Sequence, residues 1–133
     1  MINVGSGGTL IPDIPTFIND SVIHRDTNET KHLIFIEKKS SRIFPLGLDT
    51  ILVNSNHHQA LDSIPKEITV IARSFDNLPE AIEYNPSIHP YMVGVQFHQE
   101  KMDNQEAVKE NLIKELNNFI LKEKNKYNLA LII

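Results

Sequence analysis

The sequence predicts an α/β or α+β layer structure folded as one domain, on three observations. Five short runs rich in β-branched and aromatic residues are separated by polar, turn-forming stretches. One long segment near the C-terminus repeats apolar residues at helical spacing. The length, 133 residues, suits a single compact domain with a modest core and is too short for a two-domain enzyme.

Taken in order, "MINVGSGGTLIPDI" starts with a few apolar residues and passes through a Gly-rich turn to Pro12 and Asp13. Gly5, Gly7 and Gly8 superficially suggest a phosphate cradle. No strand precedes them within the chain and no Lys-Ser/Thr pair follows, so a tight turn is expected. Residues 16–31 are polar and read as a loop. Strands are expected at 33–37, 51–53 and 68–72, with a fourth, short one at 81–83 after Pro79. The fifth, 92–97, is the most apolar and does not alternate, the pattern of a strand buried on both faces. A helix is expected over 105–123, where Val108, Leu112, Leu116, Phe119 and Ile120 make one apolar face and Asp103 with Glu106 is placed as a capping box. Residues 127–133, "YNLALII", read either as a final strand or as a tail that needs cover. Neither an internal repeat nor a linker divides the chain.

With 41% apolar and 23% charged residues, the composition is that of an ordinary soluble protein, neither disordered nor membrane-embedded. The net charge is −4 and Lys and Arg are scattered, so no basic stripe marks a nucleic-acid partner. No apolar run approaches spanning length and no secretory signal opens the chain, so no membrane partner and a cytoplasmic location are expected. The lack of cysteine excludes disulfides, thiolate metal sites and a cysteine nucleophile within these 133 residues.

Chemistry concentrates at the end of the fifth run, "HPYMVGVQFHQE". Side chains two apart on a strand share a face, about 6.6 Å apart along its axis, so His98 and Glu100 stand on one side if the strand persists that far. A carboxylate there can accept from one ring nitrogen and leave the other free to take a proton. That is the base-and-orienter half of a nucleophile triad. On spacing alone a solvated surface pair also fits. Gly94, inside the run, marks a close backbone approach.

Residues 54–60, "NSNHHQA", follow a strand and carry two adjacent histidines. His57, His58, His98 and Glu100 can be recruited for a metal on paper. Adjacent histidines usually diverge, however, and no HxH or HxxxH pair occurs, so neither metal nor cofactor is expected. A loop lining a polar pocket is the expected role.

Four segments, "INVGSGGTLIPDI", "VNSNHHQAL", "ITVIARSFDNLPEAIEY" and "MVGVQFHQE", occur in the order seen in class I glutamine amidotransferases. Within that superfamily the chain resembles the γ-glutamyl-γ-aminobutyrate hydrolase branch, whose pattern reads approximately "INV..GGTL.QDI", "VNS.HHQ", "A.S.DG..EA" and "GVQFHPE". The resemblance runs to about Lys101 and takes in the expected terminal helix. It implies an α/β, flavodoxin-like fold with a mainly parallel sheet, flanking helices and a Cys-His-Glu triad. Carried over position by position, the triad histidine and glutamate fall on His98 and Glu100. The segment beside the substrate pocket falls on Val53, Asn54, Ser55, His57, His58 and Gln59. In such an enzyme a thiolate attacks a glutamine or γ-glutamyl amide to give a thioester that water hydrolyses, the histidine shuttling the proton.

Departures from that pattern matter as much. Relatives bear the cysteine on a strand-to-helix turn a few residues before the stretch matching "INV". The nucleophile, its elbow and the oxyanion hole are therefore expected outside this chain, read as a truncated domain over residues 1–133 that lacks N-terminal strands. Gln99 stands where the pattern has proline, and Asn77-Leu78 is read in place of its Asp-Gly turn. Three readings are open: a truncated member inactive alone, half of a split enzyme completed by a cysteine-bearing chain, or a non-catalytic module that binds a γ-glutamyl compound or a protein. An uncovered apolar face and sheet edge are expected, to be covered by the separate half or by a homo-oligomer.

Overall fold

The computed structural model describes residues 2–19, 22–26, 30–38, 42–102 and 106–130. A short helix, α1 (Ile2–Gly5), leads into a turn at Gly7, whose φ of +93° lies in the region that favours glycine. Gly8 is required for space: a Cβ there would lie 2.4 Å from the Asn3 amide and 2.5 Å from the Ser63 carbonyl oxygen. Asn3 is buried and donates from Nδ2 to the carbonyls of Thr9 (2.9 Å) and Ser63 (3.0 Å). The Gly-rich stretch is thus a tight turn, as expected, in which Gly7 supplies the backbone conformation and Gly8 the space.

Next come β1 (Leu10–Ile11) and α2 (Ile14–Phe17). Asp13 caps α2 by accepting from the Thr16 N–H at 3.2 Å, and Pro15 occupies its first turn, where a missing N–H is harmless. Residues 16–31 are therefore more than a loop, since they contain the end of α2 and the start of β2 (Thr30–Ile36). The remaining strands are β3 (Thr50–Ser55), β4 (Ala60–Leu61), β5 (Ile68–Ser74), β6 (Pro79–Tyr84) and β7 (Val93–Val95).

Five of these make one sheet in the order β3-β2-β5-β6-β7, while β1 and β4 pair as a separate ribbon. Every pairing is antiparallel, with Leu33 opposite Leu52, Ile34 opposite Ser74 and Ile82 opposite Gly94. The mainly parallel sheet that the family resemblance implies is not found among the described residues. Parallel neighbours need a crossover of about a dozen residues or more, whereas only residues 75–78 join β5 to β6 and 85–92 join β6 to β7.

Four expected strands fall on β2, β3, β5 and β6. The fifth is shorter than expected: β7 ends at Val95, and all three of its residues are half-buried because it pairs on one side only. The strand buried on both faces is β6, where residues 79–83 are all buried, Glu80 and Glu83 included. Register shifts between Val70, Ala72 and Arg73 mark a bulge on β5 beside it.

The core gathers Ile34, Ile36, Ile51, Val53, Ile71 and Phe97 against Val108 of α3 (Glu106–Ala130). A smaller cluster joins Ile14, Ala60 and Leu78. Only the start of the helix's apolar face is covered: Val108 is fully buried and Leu112 packs on the core, but Leu116 and Ile120 are 42% and 41% exposed. Further out, Phe119 stacks on Tyr91 at 5.5 Å. The helix runs past the expected end at 123, so residues 127–130 are helical, not a final strand. Asp103 of the expected capping box and residues 131–133 lie outside the described residues. Among the described residues no helix is long and apolar enough to cross a membrane.

Candidate functional site

His98 caps a single 3-10 turn, Gln99–Lys101, that follows β7 after three further residues. His98 and Glu100 therefore belong to a turn, and the pleat expected to set them on one face does not reach them. What fixes His98 is Asn54 on β3. The Asn54 Oδ1 accepts from the His98 N–H at 2.7 Å, and its Nδ2 donates to the His98 carbonyl at 2.8 Å. A carboxamide carries one acceptor and one donor group, so a single side chain satisfies both backbone groups of one residue. The pairing joins the "VNS.HHQ" and "FHPE" segments in space across 44 positions of sequence.

Alternation along β3 places Ser55 inward beside Val53, and its hydroxyl donates to the His24 carbonyl at 2.7 Å. After β3 the two histidines diverge, as expected. His57 turns inward, its Nδ1 2.9 Å from the Gln59 carbonyl oxygen and its Nε2 3.5 Å from Glu80 Oε1. His58 turns outward, exposed, with Nδ1 3.3 Å from the Arg25 guanidinium. Gln59 is exposed too, and its carbonyl also accepts from Gln96 Nε2 at 3.4 Å. Of the five expected pocket residues, then, Asn54 serves His98, while Ser55 and His57 belong to a second assembly.

That assembly escaped the sequence reading. His24, His32 and His57 surround Glu80, and Asp76 stands behind His24. Glu80 Oε1 lies 3.1 Å from His32 Nε2, 3.4 Å from His24 Nδ1 and 3.5 Å from His57 Nε2. His24 Nε2 is 3.0 Å from Asp76 Oδ2. Glu80, His24 and His32 are only 1%, 3% and 6% exposed. Burial alone would raise the Glu80 pKa, but the three imidazoles pull its carboxyl well below the usual range. Burial likewise opposes a charge on His24, and Glu80 with Asp76 overcomes it and raises that pKa. Asp76 is lowered against its burial by Ser74, His24 and the Val22 N–H, the last at 2.9 Å.

One signal in the sequence pointed here. His32 falls in line with Ile34 and Ile36 on the inward face of β2, and an imidazole on an apolar strand face needs a partner. His24, in a polar stretch, offered none. The turn before Glu80 also corrects the alignment: the positive φ of +66° falls on Asn77. Asn77 is therefore the counterpart of the family's glycine and Asp76 of its aspartate, one residue earlier than the Asn77-Leu78 reading.

The family match, the relatives and the structural neighbours together make this a domain of the class I glutamine amidotransferase superfamily. The Peptidase C26 family profile matches residues 1–100, and the chain belongs to that family. It is 36% identical over 93 residues to a glutamine amidotransferase-like protein of Rickettsia prowazekii, covering 68% of this chain and 32% of that protein. It is 34% identical over 103 residues to Protein NtpR of Enterococcus hirae, covering 75% of this chain and 43% of that protein. Thus it spans less than half the length of either relative. Among solved structures it superimposes on a GMP synthase-type protein of Thermoplasma acidophilum, with TM-score 0.70 and 19% identity over 92% of this chain and 55% of that one. A Thermotoga maritima glutamine amidotransferase gives 0.54 and 17% over 93% and 45%. At these identities the structural likeness concerns the fold, which is therefore the class I glutamine amidotransferase fold in part.

Proposed function

We propose that this chain carries the acid–base side of a γ-glutamyl amide hydrolase site and is inactive until a cysteine-bearing segment completes it. The observation that supports this best is the double hydrogen bond from Asn54 to the backbone of His98, which fixes a histidine at the position matching the family's triad. No cysteine occurs in the 133 residues, so the thiol must come from another segment, of the same or a separate polypeptide. In the completed site the thiolate attacks the γ-carbonyl carbon, the C–N bond breaks, and His98 protonates the departing amine. Water then attacks the thioester as His98 takes its proton, releasing glutamate and the thiol. Glu100 orients the imidazole in this scheme, and Asn54 is a positioning residue.

The docking surface we assign to the missing segment is the edge of β7, unpaired among the described residues, with the adjoining groove lined by Tyr91, Val93, Val95, Leu112, Ile113 and Leu116. Ile113 and Leu116 are exposed there, and the Thermoplasma structure has nearly half its chain beyond the matched part. The test is glutaminase and γ-glutamyl hydrolase assay of the purified chain alone and co-expressed with the cysteine-bearing segment encoded upstream. Turnover is expected only in the second case. Turnover by the chain alone that His98→Ala abolishes, or failure of the two segments to associate, would overturn the reading. In the complex, Glu100→Gln should lower kcat with little change in KM, and equal damage to both would remove the orienting role.

A further inference from the structure

The rings around Glu80 present a problem that hydrogen bonding within the protein does not solve. Asp76 accepts at both oxygens, from the Val22 N–H and from the Ser74 hydroxyl, so it acts as an acceptor and His24 Nε2 must carry the hydrogen that it receives. A neutral His24 then presents a bare lone pair at Nδ1, directed at Glu80 Oε1 from 3.4 Å. His57 repeats the arrangement. The Gln59 carbonyl takes its Nδ1 hydrogen, leaving a lone pair at Nε2 3.5 Å from the same oxygen. Neither nitrogen makes a hydrogen bond, both are sealed from solvent, and Glu80 Oε2 is also buried without a partner. Three such lone-pair groups, converging out of contact with solvent, repel one another unless a cation, a metal ion or a ring proton, sits among them.

We infer that His24 Nδ1, His57 Nε2 and Glu80 form a structural binding site for a divalent transition metal, with zinc as the best fit. The three ligand atoms lie within 4.8 Å of one another. Ligand bonds of about 2.0–2.2 Å set the corners of a tetrahedron roughly 3.3–3.5 Å apart, which the 3.4 and 3.5 Å separations to Glu80 already meet. Two imidazoles and a carboxylate are a zinc donor set, and the orphaned Oε2 supplies a further oxygen if the carboxylate binds through both. The surroundings have the form of an outer shell: Asp76 and the Gln59 carbonyl hold the far nitrogens of the two histidine ligands. His32 Nε2, 3.1 Å from Oε1, fixes the carboxylate from a third side. Such a metal ties residues 22–26 to the loop after β3 and to β6, a brace that is independent of cysteine and of turnover.

The experiment uses the full chain, stripped with a chelator and titrated with Co²⁺ as a spectroscopic probe and with Zn²⁺ against its thermal midpoint. The expected result is one Co²⁺ per chain with tetrahedral d–d bands, displaced by Zn²⁺, and a midpoint several degrees higher with Zn²⁺. Asp76→Asn should weaken Co²⁺ binding about 10- to 100-fold. His57→Gln should weaken it at least as much, and His58→Gln, one residue away and facing solvent, should leave it unchanged. If His57→Gln does not fold, X-ray absorption of the Co²⁺-loaded wild type decides, by finding two imidazoles in the first shell or not. No stoichiometric Co²⁺ spectrum, an unmoved midpoint, or loss of binding in His58→Gln would overturn the assignment. A silent titration would mean that the cluster is held together without a metal.

Discussion

Two histidine sites in this chain are built on opposite plans. His98 is held through its backbone by one carboxamide at the rim of the sheet, and its ring is half-buried. His24, His32 and His57 are held through their rings around a carboxylate that is 1% exposed. Clamping the backbone fixes the residue's place through groups other than its ring, which suits a group that must gain and lose a proton in use. Enclosing the rings around an anion closes their nitrogens off from solvent, which suits a brace.

The strongest way to break that contrast is to remove the anion. Glu80→Ala leaves three imidazoles without the group they surround, and losing one partner of a buried charged contact costs about 3–5 kcal/mol. Urea denaturation of the full chain should show a loss of that size. A loss below about 1 kcal/mol would mean that the rings pack as neutral groups and that the enclosed site is no brace.

Next in size is Asn54→Ala. It removes two hydrogen bonds to partly buried backbone groups, a cost of about 1–3 kcal/mol. The local readout is sharper: exchange of the His98 amide hydrogen should accelerate far more than that of β2 or β5. If that amide stays protected, something other than Asn54 holds His98, and the contrast between the two plans fails on that side.

The parts legible in the sequence are those fixed over short range. Strand positions along β2, β3, β5 and β6 followed from β-branched runs, and the divergence of His57 from His58 followed from their adjacency. His98 stood out because its segment is a contiguous motif. The enclosed site was not legible because its members come from two loops, two strands and a turn, brought together by pairings that no local pattern encodes. Sheet direction was misjudged for another reason: the family expectation describes whole relatives, while the short links among β5, β6 and β7 permit only antiparallel neighbours. Likewise the apolarity of 92–97 suggests two-sided burial, yet it belongs to an edge strand beside the half-covered face of α3.

The turn that delivers Asp76 to His24 gives a third test. Asn77 holds φ +66°, which asparagine tolerates and alanine does not. Asn77→Ala should cost roughly 1 kcal/mol, and Asn77→Gly should cost nothing or stabilise slightly. Equal midpoints for the two variants would show that backbone strain has no part in presenting Asp76.

The smallest expected effect, and the one that bears most directly on His98, is a gain. Gln99 is the first residue of the 3-10 turn, a position that suits proline, and the family pattern has proline there. The preceding residue already has an extended backbone, with φ −89° and ψ 91° at His98, as a following proline demands. The hydrogen bonds of the turn run from Lys101 N–H to the His98 carbonyl (3.1 Å) and from Met102 N–H to the Gln99 carbonyl (3.2 Å). Neither uses the Gln99 N–H that proline lacks. Gln99→Pro should therefore stabilise by about 0.4–1 kcal/mol, through fewer unfolded conformations. Combined with Asn54→Ala it separates two ways of holding the same histidine. If the clamp alone places His98, the two changes add, and the His98 amide still exchanges fast in the double variant. If the proline restores protection there, the stiffness of the turn is sufficient, and Gln99 is the position at which this chain has relaxed the geometry of its site.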